Sequence, residues 1–443
     1  MILKLNVKKT LLCGIPFLSI MLLWQAYNWM VPIYLNDFFT ETLKVGEMLI
    51  GIIMALDNLF AIFMIPLVAN LSDKCQSKYG RRKPFIIFGI IFSALFFVAI
   101  PYVTALDNIW LLILNILCVL ISMNVYRAPA VALMPDITPE HKRSKANSII
   151  NIMGAAGTAL GYLLILLFEK NNEKLIFFVT AFIMVVCLVY TIIFLKEKKM
   201  VEEYKLEEKA YNEQNANQKL DEINTNKEEK VSVNTLDPKI KRRNIILILL
   251  TVFFFYMSIN SVETFMSLFS KSVYGEVNLP LGLEPGALCM IPFGIGCFAF
   301  SYPAAALADK YGRKVIIFLG TIIGALAYLG IAIISSNVGF SYAILPLFLL
   351  GGFGFAFLVI NILPMALENS TESTTGKYTG YYYTASMIAQ SVTPALCGLF
   401  MSDLIFGNML FLFPYAIIFM LLAGVCMLLV KNKGNKENKK LND

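Results

Sequence analysis

The stretch Ser72–Ile86 reads S-D-K-C-Q-S-K-Y-G-R-R-K-P-F-I, and a shorter copy, A-D-K-Y-G-R-K, occupies Ala308–Lys314. Each copy places an acid, a glycine and a basic cluster in a short connection between two long apolar runs. Gly80 and Gly312, the glycines of the two copies, are 232 residues apart. A chain that repeats its loop chemistry in this way is predicted to contain two related halves. In a membrane protein, such a duplication is typical of a transporter whose substrate site lies between the repeats.

The composition places the whole chain in a membrane. The sequence is 58% hydrophobic with a mean hydropathy of +0.69, which is too apolar for a soluble globular protein of this length. Its successive apolar runs satisfy the length needed to cross a bilayer. We predict an all-α membrane protein with twelve transmembrane helices in two pseudo-symmetric six-helix bundles. The predicted spans are 12–36, 47–70, 84–104, 108–134, 145–168, 174–195, 244–270, 284–308, 314–335, 340–367, 377–402 and 408–430.

The polar segments define the predicted domains. One bundle covers residues 1–195 and the other covers 244–430, followed by a tail at 431–443. Between the bundles, residues 196–243 contain twelve Lys or Arg and eleven Asp or Glu, with almost no aromatic residues. Such a composition cannot bury a core, so we predict a disordered cytoplasmic linker.

The distribution of basic residues predicts the orientation. With the N-terminus inside, 32 of the 37 Lys and Arg residues fall on the cytoplasmic side, which satisfies the positive-inside rule. Both termini are then cytoplasmic, and a multi-pass plasma-membrane protein is expected. The net charge of +7 is therefore a topology signal and does not indicate nucleic-acid binding. The eight cysteines have no paired spacing and no Cys/His metal pattern, so free thiols and no metal are expected.

The paired loops are predicted to act as a conformational gate. Arg81 and Arg313 occupy matching positions, and the acids Asp136 and Glu368 follow them at equal spacing. Ion pairs between them would break and reform as the two halves move. The alternative is that a basic loop merely anchors the chain at the membrane surface, but the repeated acid partners favour gating. The residues assigned to gating are Asp73, Gly80, Arg81, Arg82, Asp136, Asp309, Gly312, Arg313 and Glu368.

The position of these loops resembles the major facilitator superfamily, whose signature lies between helices two and three and between helices eight and nine. The first copy has four additional residues between Asp73 and Gly80 and continues as R-R-K-P-F-I. This longer form is similar to plant sucrose–proton symporters and their animal relatives, which belong with the glycoside–cation symporters. The similarity extends to A-L-M-P-D-I-T at Ala132–Thr138.

This resemblance is strong over about residues 60–165, and it implies that a sugar is carried together with a proton. The chain departs from the plant pattern in its fourth predicted helix. Leu120 stands where the plant proteins carry an acid, and Arg127 stands where they have an uncharged residue. The coupling chemistry therefore cannot be transferred residue by residue.

Three charged residues lie deep within the predicted spans: Asp57, Arg127 and Glu263. Each costs several kcal/mol if it faces lipid, so each is expected to face the protein interior, a partner or water. We hypothesise that Asp57 or Glu263 is the proton-coupling acid and that Arg127 balances its charge. The alternative is a fixed ion pair or polar contact between helices. Protons are the expected coupling ion, sodium remains an open alternative, and no cofactor is expected.

A sugar site needs aromatic faces and hydrogen-bonding side chains. Amides at membrane depth need a partner, which makes them candidates for the substrate site. The alternative for each is packing between helices. The candidates are Trp24, Gln25, Asn28, Asn124, Asn151, Asn260, Asn361, Ser386 and Gln390.

The leading hypothesis is a secondary active transporter of a sugar or glycoside, working by alternating access as a monomer in the lipid bilayer. An exporter or antiporter of another small solute is the main alternative, because one scaffold hosts many substrates. A sensor or a membrane enzyme is less favoured. His141 is the only histidine, and the sequence contains no HExxH motif and no nucleophile elbow.

Overall fold

The computed structural model describes residues 6–39, 45–139, 142–206, 208–209, 238–275, 277, 279–368 and 375–431. Within this part of the chain, twelve helices are long and apolar enough to cross a membrane. The predicted all-α membrane fold class is confirmed. The helices are α1 Val7–Phe39, α2 Gly46–Asp73, α3 Lys83–Thr104, α4 Ile109–Ile137, α5 Arg143–Asn172, α6 Lys174–Phe194, α7 Pro238–Phe269, α8 Pro285–Tyr311, α9 Arg313–Val338, α10 Ile344–Leu367, α11 Thr375–Met401 and α12 Leu412–Leu429.

Several helices are longer than the apolar runs that predict them. The run at 12–36 lies inside α1, and α7 begins at Pro238 rather than at residue 244. A helix continues through basic residues beyond the hydrocarbon layer, whereas the apolar run marks only the part that crosses it.

The ends of the predicted linker are helical, at residues 197–206 and from Pro238 onward. Residues 210–237 lie outside the described residues, as do His141 and residues 432–443. The prediction of a disordered linker and a tail therefore stays a prediction.

The chain forms two compact units, and their boundaries do not follow the two halves of the sequence. Unit 1 contains Met1–Tyr27, Phe60–Leu164 and Asn172–Asn234. Unit 2 contains the second half of the sequence from Thr235 onward. It also includes two segments of the first half, Asn28–Leu59 and Ile165–Asn171. The predicted division into bundles at 1–195 and 244–430 follows the internal repeat and stays a prediction.

Small residues let the helices of each unit approach closely. In unit 1, a Cβ atom on Gly157 of α5 would overlap the carbonyl oxygen of Leu18 in α1. In unit 2, a Cβ atom on Gly352 of α10 would overlap the carbonyl oxygen of Phe293 in α8. Backbones that pack this closely gain dispersion contacts, which drive helix association in lipid.

The connection from α7 to α8 is short and irregular. α7 ends in a π-helical turn, Ser270–Tyr274, and a 3-10 turn follows at Pro280–Gly282. Glu284 then caps α8, because its carboxylate accepts the backbone N–H of Ala287. We call this end of unit 2, at which α7 and α11 end and α8 begins, the far face. Gly312 lies at the opposite end of α8.

Candidate functional site

The first basic loop, between α2 and α3, contains an ion-pair network in unit 1, with Arg82 buried and Asp73 exposed. Arg81 places Nη2 2.7 Å from Oδ1 of Asp136. Arg82 is buried and places Nε 2.9 Å from Oδ2 of the same carboxylate. Arg82 also pairs with Asp73 at the end of α2. The structure therefore contains ion pairs of the kind that the sequence predicts, and their role in gating stays a prediction.

Glu197, which the sequence analysis missed, follows the end of α6 and binds the backbone of the same loop. Its carboxylate accepts the backbone N–H groups of Arg81 at 2.8 Å, Arg82 at 3.0 Å and Lys83 at 2.9 Å. These N–H groups open α3 and have no partner within the helix, so a buried carboxylate is well placed there. Glu197 is one acid in the run K-E-K-K at 196–199, and nothing in that run distinguishes it from a solvated residue.

The second basic loop, between α8 and α9 in unit 2, is more exposed. Arg313 pairs with Glu368 as the repeat predicts, with 33% and 52% of the two side chains exposed. Asp309 lies in the last turn of α8 and is also exposed. Lys314 follows Arg313 where the first loop has a second arginine. The two copies thus share one ion pair but differ in how firmly the loop is held.

A lysine in each loop binds the end of a helix, which is a second shared feature that the sequence analysis missed. Lys83 donates from Nζ to the carbonyl oxygens of Ile192 and Leu195, both at 2.8 Å, at the end of α6. Lys314 donates from Nζ to the carbonyl oxygen of Val430, at 2.6 Å, at the end of α12. A cation at a helix C-terminus satisfies carbonyls that lack partners and opposes the negative end of the dipole.

In the interior of unit 1, Arg127 stacks on Trp24. The guanidinium carbon of Arg127 lies 4.0 Å from the centroid of the indole ring, which is a cation–π contact. Asn124, one turn before Arg127, is fully enclosed, and its amide donates to the carbonyl oxygen of Leu120 at 3.0 Å. Two predicted site residues, Trp24 and Arg127, are thus in contact. The side-chain amide of a third, Asn124, already donates to a carbonyl oxygen of its own helix.

The remaining unit 1 candidates lie along α1 and α5. Gln25 is partly buried, and its Cβ and Cγ atoms lie so close to Gly161 that a Cβ atom there would overlap them. Asn151 is exposed on α5.

In the interior of unit 2, the structure brings together Asn260 and Glu263 of α7. The amide of Asn260 hydrogen-bonds to the carboxyl group of Glu263. Asn260 is buried, whereas Glu263 keeps an exposed surface within the depth of its span. One turn before Asn260, Tyr256 places its hydroxyl 3.3 Å from that of Tyr382 in α11. The result is a carboxyl, an amide and two phenols along α7 and α11 of unit 2, and Tyr256 is a member that the sequence analysis missed.

Other predicted amides of unit 2 bind the backbone. Asn361 donates to the carbonyl oxygen of Phe357 at 3.0 Å and to that of Ala304 at 3.3 Å. Gln390 donates to the carbonyl oxygen of Ser386 at 3.2 Å. The hydroxyl of Ser386 also donates to a carbonyl of its own helix, at 2.9 Å. These contacts fit the packing alternative, because the donor groups already have partners.

Asp57 and Asn28 come from the segments of α1 and α2 that belong to unit 2. Asp57 is 3% exposed and therefore enclosed by protein. Its neighbour Asn58 donates to the carbonyl oxygen of Gln390 at 3.3 Å, which links α2 to α11. Asn28 is partly buried.

At the far face of unit 2, α2 and α11 cross with their backbones in contact. A Cβ atom on Gly51 would overlap the carbonyl group of Pro394. A Cβ atom on Gly398 would likewise overlap the carbonyl group of Glu47. Helices from the first and second halves of the sequence are thus packed tightly together at this end of the unit.

Comparisons with known proteins agree with this architecture. The family model described as Major Facilitator Superfamily matches residues 16–394 and 286–442. A sucrose transport protein of Arabidopsis thaliana is 27% identical over 167 residues, which cover 34% of this chain and 30% of the plant protein. An uncharacterized symporter of Synechocystis sp. is 28% identical over 144 residues, which cover 30% of this chain and 26% of that protein. The match spans less than a third of the length of these curated relatives.

Solved structures show the same fold over nearly the whole chain. The crystal structure of a nucleoside transporter superposes with a TM-score of 0.66 at 14% identity, covering 96% of this chain and 98% of the other. At such low identity the likeness concerns the arrangement of helices and carries no information about the substrate.

Proposed function

This chain belongs to the major facilitator superfamily, and from that premise we propose that it moves a sugar or glycoside across the plasma membrane together with protons. It works by alternating access and does not act as an enzyme. The substrate is a small solute, the coupling ion is the proton, and the monomer in the lipid bilayer is the functional form.

The observation that carries this proposal is the Asn260–Glu263 pair of α7. A carboxyl group within a membrane span is costly if it faces lipid, so Glu263, which protein does not fully cover, is expected to face water or a polar solute. A carboxyl group hydrogen-bonded to an amide and close to phenols is suited to bind sugar hydroxyls. The same carboxyl group can take up a proton when the alternating movement removes water from it, because a low-dielectric environment favours its neutral form.

The contacts at the far face support alternating access. The α2–α11 crossing closes this end of unit 2 with helices from both halves of the sequence. The positive-inside rule places the basic loops and both termini in the cytoplasm. On that orientation the far face is extracellular, and we interpret the α2–α11 crossing as a contact of the state closed to the outside.

The proposal is tested by uptake of radiolabelled sugars into proteoliposomes with an imposed pH gradient. We expect uptake of at least one sugar of a panel to rise several-fold when the exterior is acidic, and Glu263→Gln to lose this stimulation. Asp107→Asn changes an exposed acid between α3 and α4, outside the spans and the gating loops, and serves as the control for charge removal. Accumulation driven by the opposite gradient would indicate an antiporter instead.

A further inference from the structure

A second contact between the two halves of the sequence lies at the far face, where α5 ends and α8 begins. The backbone N–H of Glu284 donates to the carbonyl oxygen of Leu166 at 3.2 Å. Lys170 donates from Nζ to the carbonyl oxygen of Val277 at 2.9 Å. Direct hydrogen bonds thus join the end of α5 to the α7–α8 connection within unit 2.

Two buried carboxyl groups lie at this contact, Glu169 at 9% exposure and Glu284 at 3%. The indole of Trp29 donates from Nε1 to Oε2 of Glu169 at 2.6 Å. The hydroxyl of Ser270 donates to Oε1 of Glu284. Trp29 also lies against the start of α8, because a Cβ atom on Gly286 would come within 2.9 Å of its ring. The indole of Trp29, in the first half of the sequence, is therefore covered by residues of the second half.

Both carboxyl groups border one cavity of about 370 Å³. Its lining also includes the exposed lysines Lys170 and Lys271, together with Gly275. Both carboxyl groups are buried and border the same cavity, so ionising both costs more than ionising one, and a proton bound by either relieves that cost.

Glu284 immediately precedes the span that starts at Pro285, and its environment favours the neutral acid. Burial raises the pKa of the Glu284 carboxyl above its ordinary value, although the hydrogen bond from Ser270 and the charge of Lys170 oppose this. Among the described residues, Tyr274 and Cys289 also interact electrostatically with Glu284. If the two halves separate, water reaches the carboxyl group and its pKa returns towards the ordinary value.

The sign of the pH effect follows from that difference. A carboxyl group with a higher pKa in the closed state binds its proton more tightly there than in the open state. Closure is therefore favoured at low pH, and this contribution is lost as the pH rises through the closed-state pKa.

We propose that Glu169 and Glu284 form a proton-operated latch that holds the far face closed when the pair carries a proton and releases it when both are ionised. The latch rests on the alternating access of the proposed function, but it does not depend on which solute is carried. It is separate from the candidate coupling acids Asp57 and Glu263.

Trp29 reports directly on the latch. In a Trp24→Phe, Trp110→Phe background, Trp29 is the only tryptophan left of the three in the chain. The purified protein in lipid nanodiscs is titrated between about pH 5 and about pH 8, a range that brackets a raised carboxyl pKa. We expect the acrylamide quenching constant of Trp29 to rise at least two-fold with pH, because opening uncovers the indole.

Two variants and a control make the test specific. Glu284→Gln mimics the protonated acid and should keep quenching low throughout the titration. Ser270→Ala removes a donor that stabilises the carboxylate, so the quenching midpoint should move to higher pH. Asp107→Asn changes an exposed acid outside the latch and should follow the parent protein.

Quenching that does not vary with pH in the parent protein would overturn the latch, as would an unchanged titration in both Glu284→Gln and Ser270→Ala. If Glu284→Gln does not fold, the shift expected for Ser270→Ala still decides the matter. Sugar-coupled proton uptake is measured separately, so the latch and the proposed function fail independently.

Discussion

At the scale of single residues, Glu197 connects the end of α6 to the first basic loop. It is 1% exposed and accepts three backbone N–H groups at the start of α3. We predict that Glu197→Ala lowers the free energy of unfolding by about 1–2 kcal/mol, as expected for the loss of an N-terminal cap. Thermal unfolding of the purified protein measures this. Glu202→Ala, at an exposed position of the same segment, should change little. Equal losses in both variants would contradict the capping role.

Gly80 and Gly312 occupy the same position in the two copies of the loop, so the same substitution can be compared at both. Both have positive φ angles, +118° and +88°, which side chains of L residues rarely adopt. Only at Gly80 would an added Cβ also overlap the carboxylate of Glu197, since open space surrounds Gly312. We predict that Gly80→Ala destabilises the protein more than Gly312→Ala, which carries only the backbone strain of about 1–3 kcal/mol. Comparable unfolding temperatures for the two variants would show that the Glu197 contact does not restrict the loop.

Sequence reasoning at this scale found local patterns and missed distant partners. The ion pairs of Arg81 and Arg313 could be foreseen because an acid, Asp136 or Glu368, follows each arginine at equal spacing. Glu197 could not, because it accepts backbone N–H groups more than 110 residues away that only the fold brings close. The packing role of Asn361 was also hidden, since one of its carbonyl partners is 57 residues away.

At the scale of helices, the α2–α11 crossing depends on Gly51 and Gly398. Neither position can accept a larger side chain without moving a backbone carbonyl of the facing helix. We predict that Gly398→Leu opens the far face and raises acrylamide quenching of Trp29 at every pH. Gly380→Leu is the matched control on α11, because nothing lies within 4 Å of the Cβ that it would add. An unchanged quenching constant in folded Gly398→Leu would show that this crossing does not hold the face closed.

The helices themselves were predictable because hydrophobic length is a strong local signal. Their ends were not, since α1 and α7 extend beyond their apolar runs into polar sequence. The lysines that bind the ends of α6 and α12 were likewise missed, although Lys83 and Lys314 close the two repeated loops. Their carbonyl partners lie more than 100 residues further along the chain.

At the scale of the whole molecule, the repeat predicts two related halves, and the family match identifies their fold. The compact units divide the chain differently, because segments of α1, α2 and α5 join the second half. The repeat shows which segments are related in sequence, whereas the compact units show which segments pack together, and sequence alone indicates only the first.

The substrate and the coupling ion define the central claim, and sugar-driven proton flux tests it most directly. Proteoliposomes without an imposed gradient are exposed to a sugar panel while a pH-sensitive dye follows the external medium. We predict that a transported sugar makes the medium more alkaline as protons enter with it, and that Glu263→Gln or Asp57→Asn abolishes this response. Sugar uptake with no proton movement, or full coupling in both variants, would contradict the account.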